Sequence, residues 1–189
     1  MASVQVSDAQ LIARAVVQDD RHAFGELVRR HQSAVRSTLR RLTGGNVAQA
    51  DDLAQETFLL AYRNLKSFRQ EAKFSTWLYR IAYNVFLGDA RKIKELAMPE
   101  DAEGETIAVP DAAAPASMSR QAALSVDLER AMLVLSEAER AAIVQCYHND
   151  LSHEEAAQVL GCPVGTVKTH ILRAKQKLKA RLGAWSPQA

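Results

Sequence analysis

The sequence predicts an all-α protein made of two small helical domains, and three observations carry that prediction. Apolar residues recur at helical rather than alternating spacing along nearly the whole chain. Glycine and proline cluster in a few places instead of punctuating short strands. One stretch, residues 94–120, holds three of the five prolines, seven alanines and six acids against two bases, with few large apolar groups to offset the entropy of ordering it. It reads as a flexible acidic linker, with an N-terminal domain over residues 1–93 and a C-terminal domain over residues 121–189. An ordered loop inside a single domain is the alternative, but structureless loops of this length are uncommon in compact domains.

The 24 basic and 22 acidic side chains among 189 residues nearly cancel, which conceals their segregation: acid gathers in the linker and base at the C-terminal end. Cys146 and Cys162 are too few for a disulfide scaffold, and no basic start leads into an N-terminal apolar run, so a reducing cytoplasm is expected. No segment has the apolar length of a membrane span. There is no phosphate-binding glycine loop, nucleophile elbow or carboxylate pair, so no enzyme, cofactor or small-molecule substrate is expected and no catalytic residue is assigned. Cys146, His148, His153 and Cys162 crowd together in sequence, yet their spacing matches no standard zinc pattern and no metal site is assigned.

In the N-terminal domain, DDLAQETFLLAYRNLKSF (51–68) reads as a helix with two faces. Ala54, Phe58, Ala61, Tyr62 and Leu65 form the buried stripe; Asp52, Gln55, Glu56, Leu59 and Arg63 share the opposite one. Acids at a helix start are stabilised by its dipole, so Asp51 and Asp52 suit capping. A mixed polar and apolar face equally suits a protein partner with a basic surface. The next segment, residues 68–94, interleaves Phe68, Phe74, Trp77, Tyr79, Tyr83 and Phe86 with Arg69, Lys73, Arg80, Arg91, Lys92 and Lys94. Ring faces for stacking beside cations for a backbone are what unpaired bases require. A core helix with Trp77, Ile81 and Phe74 inward accounts for part of the same pattern, and the expectation is that two or three of the rings stay outside.

The C-terminal domain accommodates a helix over residues 121–135, a second opened by a Ser136/Glu139 capping box, and a third opened by Ser152 with Glu155 and closed by Gly161. Pro163 suits the start of a fourth. Ala157, Gly161 and Val167 have the spacing of a helix-turn-helix: a small residue at the close approach, a glycine at the turn, an apolar plug below the second helix. On that last helix Val164, Val167, Ile171, Ala174, Leu178 and Leu182 share one stripe. Outside it, residues 168–182 carry six Lys/Arg and no acid. Lys168, Thr169, Leu172 and Arg173 lie where a recognition helix meets base edges. Lys175, Lys177, Lys179 and Arg181 suit phosphate contacts, which add affinity without sequence information.

Taken together, DDLAQETFLLAYRNLKSF, FSTWLYRIAYN and LSHEEAAQVLGCPVGTVKTHILRAKQKL resemble the extracytoplasmic-function (ECF) sigma factors of the bacterial sigma-70 family, in the family's order and spacing over nearly the whole chain. The resemblance implies a sigma-2-like and a sigma-4-like domain. It implies that Asp52, Leu53, Gln55, Glu56 and Phe58 dock on core RNA polymerase. It further implies that Arg69, Lys73, Phe74, Trp77, Arg80, Asn84 and Arg91 contact the minus-ten promoter element, the 69–74 loop and Asn84 holding an extruded base. Thr166, Lys168, Thr169, His170, Leu172, Arg173 and Lys175 would contact the minus-thirty-five element. Promoter DNA, core polymerase and a membrane-associated anti-sigma factor are the implied partners. His170 stands where the family usually has arginine, Ser136 where proline is frequent, and His153 and Ala156 replace a common aromatic and isoleucine. A free-standing helix-turn-helix activator is the alternative, which would be expected to dimerise on paired half-sites; no dimerisation helix is evident.

Overall fold

The computed structural model describes residues 6–69, 71–96 and 130–183, and among them every regular element is helical. The first body contains α1 (Asp8–Val17), α2 (Arg21–Leu42), α3 (Val47–Asn64), a 3-10 turn (Leu65–Ser67) and α4 (Phe74–Leu96). The second contains α5 (Glu137–Ile143), a π-helical turn (Val144–His148), α6 (His153–Leu160) and α7 (Val164–Gly183). Residues 97–120 of the predicted linker and residues 121–129 of the predicted first C-terminal helix lie outside the described residues. At the junction, α4 runs on to Leu96, past the predicted boundary at residue 93. Lys94, Glu95 and Leu96 are all good helix formers and extend it.

Short polar side chains set the helix starts. Ser7 and Gln10 close a capping box on α1, Asp20 accepts from the backbone N–H of His22 and Ala23 on α2, and Asn46 accepts from Gln49 on α3. Asp8 at the head of α1 reaches α2 through His31 at 2.7 Å and Arg30 at 3.1 Å. The core of the first body is then closed by fully buried Leu27, Val35, Leu39 and Leu42 of α2, Ala61 of α3, and Leu78 and Ala82 of α4. Each buried leucine contributes roughly 1.5–3 kcal/mol of transfer free energy.

In the second body both predicted capping boxes form: Ser136 with Glu139 and Ser152 with Glu155, each reciprocal at 2.9–3.3 Å. Gly161 ends α6 at φ +65°, the left-handed conformation that lets the chain turn sharply into α7. Val167, Ile171 and Ala174 are buried and Val164 and Leu178 pack partly against them, as the stripe predicted; the side chain of its last member, Leu182, lies outside the described residues. The two bodies also pack on each other, α4 against α6 and the C-terminal half of α2 against α5 and the π-helical turn.

Gly161→Ala places a Cβ in the left-handed region and is expected to cost about 1–2 kcal/mol. Urea denaturation should show that loss without a change in slope, and Gly161→Asn should recover part of it.

Candidate nucleic-acid and polymerase interfaces

Between α2 and α3 the first body carries an open groove of about 680 Å³. Phe24, Val28 and Gln32 line it from α2, spaced one helical turn apart, and Gln55, Phe58, Leu59 and Tyr62 line it from α3. The Phe24 and Tyr62 rings meet with centroids 4.9 Å apart. Arg36 closes one end through an ion pair with Asp51 at 3.3 Å. Leu59 is 59% and Tyr62 39% exposed, so the groove offers an apolar surface to a partner.

Of the residues predicted to dock there, Gln55 and half-buried Phe58 line the groove and Asp52 is exposed beside it. Leu53 does not take part: it is buried in the core, because its position points α3's inner face at the bundle. Glu56 opens on the other flank, onto a depression shared with Asn84 and Asp89 of α4. Tyr62, expected inside, is instead partly outside. Phe24 and Val28 of α2 were missed; their four-residue spacing was visible, but nothing in the sequence paired α2 with α3.

Ahead of α4, the rings of Phe68, Phe74 and Trp77 form a three-way cluster with centroids 5.2–5.6 Å apart, and His31 adds an edge contact on Phe74 at 5.3 Å. Such pairs contribute about 0.5–1.5 kcal/mol beyond area burial. Phe74 is consequently buried, which corrects its assignment as a DNA contact: its ring supports the loop from beneath. Trp77 is half-buried, while Arg69, Lys73, Arg80, Asn84 and Arg91 are exposed. Arg69, Trp77 and Arg80 share a depression of about 300 Å³. Asn84 is not part of that depression, so the loop and Asn84 do not form one pocket here. Tyr79, Tyr83 and Phe86 are buried too. Burial pushes the Tyr79 and Tyr83 phenols up, aided by Asp150 for Tyr79 and by Cys162 and Glu137 for Tyr83. Among the six aromatics of this segment, only Phe68 and Trp77 show part of a ring.

On α7, Lys168, Thr169, Leu172, Arg173 and Lys175 are exposed and Thr166 and His170 half-buried, all outside the buried stripe. Leu172 is 59% exposed, an apolar group standing among cations. Thr169 Oγ1 donates back to the Gly165 carbonyl at 2.9 Å, which fixes its rotamer. Lys175 Nζ sits 4.8 Å above the Tyr147 ring, a cation–π contact that steadies its ammonium. Lys177, read from the sequence as a phosphate ligand, instead meets buried Glu139 at 2.7 Å. That ammonium, with the Ser136 backbone N–H, holds the Glu139 carboxyl below the usual glutamate range against the opposing effect of burial. Lys177 thus ties α7 to α5 across the domain.

The metal-prone cluster disperses. His148 is drawn to Ser37 of the first body, and burial raises the Cys146 and Cys162 thiols above their ordinary value. Among the described residues no three His, Cys, Asp or Glu side chains are grouped to hold an ion, and no helix is long and apolar enough to cross a membrane.

A helix-turn-helix with a basic outer face, tied to a helical bundle that bears an apolar groove and an aromatic-basic helix, defines a DNA-binding transcription protein. Residues 27–95 match the sigma-70 region 2 family, and residues 125–178 match sigma-70 region 4. The chain is 36% identical to the ECF RNA polymerase sigma factor SigW of Bacillus subtilis, covering 89% of this chain and 94% of the relative. It is 35% identical to the ECF RNA polymerase sigma-E factor of Haemophilus influenzae, covering 94% and 96%. Among solved structures it is similar to CnrH in complex with the cytosolic domain of CnrY (TM-score 0.68, 30% identity, 94% of this chain and 97% of that one). It is also similar to the sigma factor RpoE in complex with the anti-sigma factor NepR from Bartonella quintana (TM-score 0.67, 28% identity, 85% and 96%). The protein belongs to the ECF sigma factors of the sigma-70 family.

Because Glu139 is held charged in the fold, its contribution is full above the ordinary glutamate pKa of about 4.3 and disappears as pH falls through its lowered folded value. Glu139→Gln should therefore destabilise the protein at pH 7 and flatten the acid limb of its stability profile; an unchanged acid limb would remove the pair from that role.

Proposed function

We propose that this protein is an alternative sigma factor, which binds core RNA polymerase, directs it to promoters of one two-part sequence, and is held in check by an anti-sigma factor. The observation that carries the reading is the pairing of two unlike surfaces in one chain: an apolar groove between α2 and α3, and a helix-turn-helix whose recognition helix keeps its cations outside. In this reading the groove, with Asp52, Gln55 and Phe58, receives the polymerase. Its α2 wall, Phe24 and Val28, and its rim, Leu59 and Tyr62, belong to the same docking surface. Phe58, Leu59 and Tyr62 have the character of interface anchors, being large, apolar and set in a pocket rimmed by polar groups.

Promoter reading divides between the bodies. Arg173 is suited to pair bidentately with a guanine edge, Leu172 to meet a thymine methyl, and Lys168 and Thr169 to contact neighbouring bases. Lys175 and Lys179 serve the phosphate backbone. In the first body, Arg69, Lys73, Arg80, Asn84 and Arg91 follow the unpaired strand, and the free part of Trp77 offers it a stacking surface. Extruding a base costs a few kcal/mol, which stacking and a shaped pocket offset. The protein does no chemistry of its own; the reaction belongs to the polymerase. It works in the bacterial cytoplasm, where a membrane-associated anti-sigma factor retains it. The similarity to the sigma factor RpoE solved with the anti-sigma factor NepR supports the anti-sigma part of this reading.

The direct experiment is transcription in vitro with purified core polymerase on a genomic fragment library. Start sites sharing one two-part motif are expected, whereas silence with an active core would overturn the reading. Leu59→Asp should weaken core binding by about ten- to thirtyfold, equivalent to ~1.4–2 kcal/mol, as measured by competition for core. Arg173→Ala should erase discrimination at one upstream base pair, while Lys179→Ala should weaken all sequences alike and reduce the salt slope.

A further inference from the structure

The chain between the 3-10 turn and α4 has a phenylalanine at each end, and the two rings meet. Phe68 and Phe74 lie with centroids 5.5 Å apart at 74°, a clasp across the ends of residues 69–73. Against Phe74 stands half-buried His31 of α2, its ring 5.3 Å away at 72°. The imidazole is itself held, since Nε2 lies 2.7 Å from Asp8 Oδ2 at the head of α1. Asp8 is fixed in turn through its second oxygen: Oδ1 accepts from Arg30 Nη1 at 3.1 Å, and the same nitrogen donates to the Val6 carbonyl at 2.7 Å. Glu26 completes the set by accepting from Arg30 Nε at 3.1 Å. The head of α1 also borders the loop directly, because Asp8 and Ile12 share a hollow of about 310 Å³ with Phe68, Ala72 and Lys73.

We propose that His31 is a positioning residue for the 69–73 loop: Asp8 orients its imidazole, the imidazole sets the Phe74 ring, and the Phe74–Phe68 clasp fixes the ends of the segment that meets the unpaired promoter strand. The promoter role of that segment rests on the function proposed above. Asp8, His31 and Phe74 touch no DNA in this arrangement; they act through the loop.

The last side-chain torsion of a histidine is soft, with broad wells, so an imidazole without a partner turns easily about that bond. A carboxylate oxygen at 2.7 Å removes this freedom, and Arg30 keeps the carboxylate from swinging away. Aromatic pairs depend on mutual angle as well as distance, edge-to-face being favoured over a face-to-face sandwich. A ring fixed in angle therefore passes a preference to its neighbour. Phe74 is the first residue of α4 and only 6% exposed, so its ring cannot turn into water without opening the core. A short segment held at both ends has fewer conformations to lose when a strand binds. Arg69 and Lys73, both exposed, are the cations whose aim the clasp decides.

Native-state trypsin cleavage of the full chain after Arg69 and Lys73, mapped by mass spectrometry, reads the order of the loop without polymerase or DNA. His31→Gln keeps an amide donor for Asp8 and removes the ring; cleavage at both sites should rise about three- to tenfold with helicity unchanged. Asp8→Ala should raise it too in the wild-type background, and add nothing in the His31→Gln background, because it acts through the ring. Should His31→Gln lose helicity, His31→Phe carries the test: it keeps a ring beside Phe74, gives up the Asp8 bond, and should match Asp8→Ala and gain nothing from it. Unchanged cleavage in the His31 variants, or an Asp8→Ala effect of equal size in every background, would overturn the proposal. In transcription with core polymerase, a promoter recovered from the fragment library is compared with its single-base variants across the minus-ten element. His31→Gln should compress the ratio between preferred and substituted base about three- to tenfold at one position, a ratio that mere loss of stability leaves alone. A wild-type ratio with a loosened loop would leave the brace in place and take the loop out of promoter reading, whereas silence of the wild type would overturn the function proposed above and leave the cleavage result untouched.

Discussion

The packing of α4 on two sides is the constraint on which the rest of the structure depends. Its inner face, with Leu78 and Ala82, closes the core of the first body, α6 of the second body packs on another side, and Tyr79, Tyr83 and Phe86 are buried as well. Two sides of this helix are therefore covered, while Arg80, Asn84 and Arg91 keep a polar strip of it exposed. The cover on one side is permanent, since α1, α2 and α3 are bound to α4 through a core that must unfold to release it. Another side is covered by the second body. One element thus takes part in the packing of both bodies.

The second body achieves rigidity with very little material. Its short helices have capping boxes at Ser136 and Ser152, a left-handed glycine at the turn, and the Lys177–Glu139 ion pair between first and last helices. Short helices are marginal alone, so caps and tertiary ties supply what length does not. That economy leaves the outer arc of α7 free of structural duties, apart from the internal ties of Lys175 and Lys177. The recognition surface and the hydrophobic stripe divide the helix cleanly between partner and core.

Much of this was legible in the sequence because it is local. Capping boxes, the glycine turn and the buried stripe of α7 follow from residues three, four and seven apart, and each formed as expected. What could not be read was the meeting of segments far apart in the chain. Leu53, a docking residue only by the family resemblance, turns inward, since which side of α3 is buried depends on where α2 and α4 lie. Phe74 has the composition of a stacking platform and is buried because His31, Phe68 and Trp77 converge on it. Lys177 was one of a run of like cations until Glu139, thirty-eight residues earlier, claimed it. Tyr79, Tyr83 and Phe86 have no periodic signal that separates a ring facing water from a buried one.

The widened turn at Val144–His148 sets the rotational phase of the residues that follow it. A π-helical turn holds one residue more than an α-helical turn, seen here as Asn149 N–H bonding back five residues to the Val144 carbonyl at 3.0 Å. Each residue in an α-helix advances about 100° around the axis. Removing one residue from this turn would therefore swing His148 and Asn149 about a quarter of a revolution away from α2, while leaving α6, Gly161 and α7 with their own sequence intact. A single-codon deletion here is expected to break the contacts of His148 and Asn149 with Ser37 and Thr38.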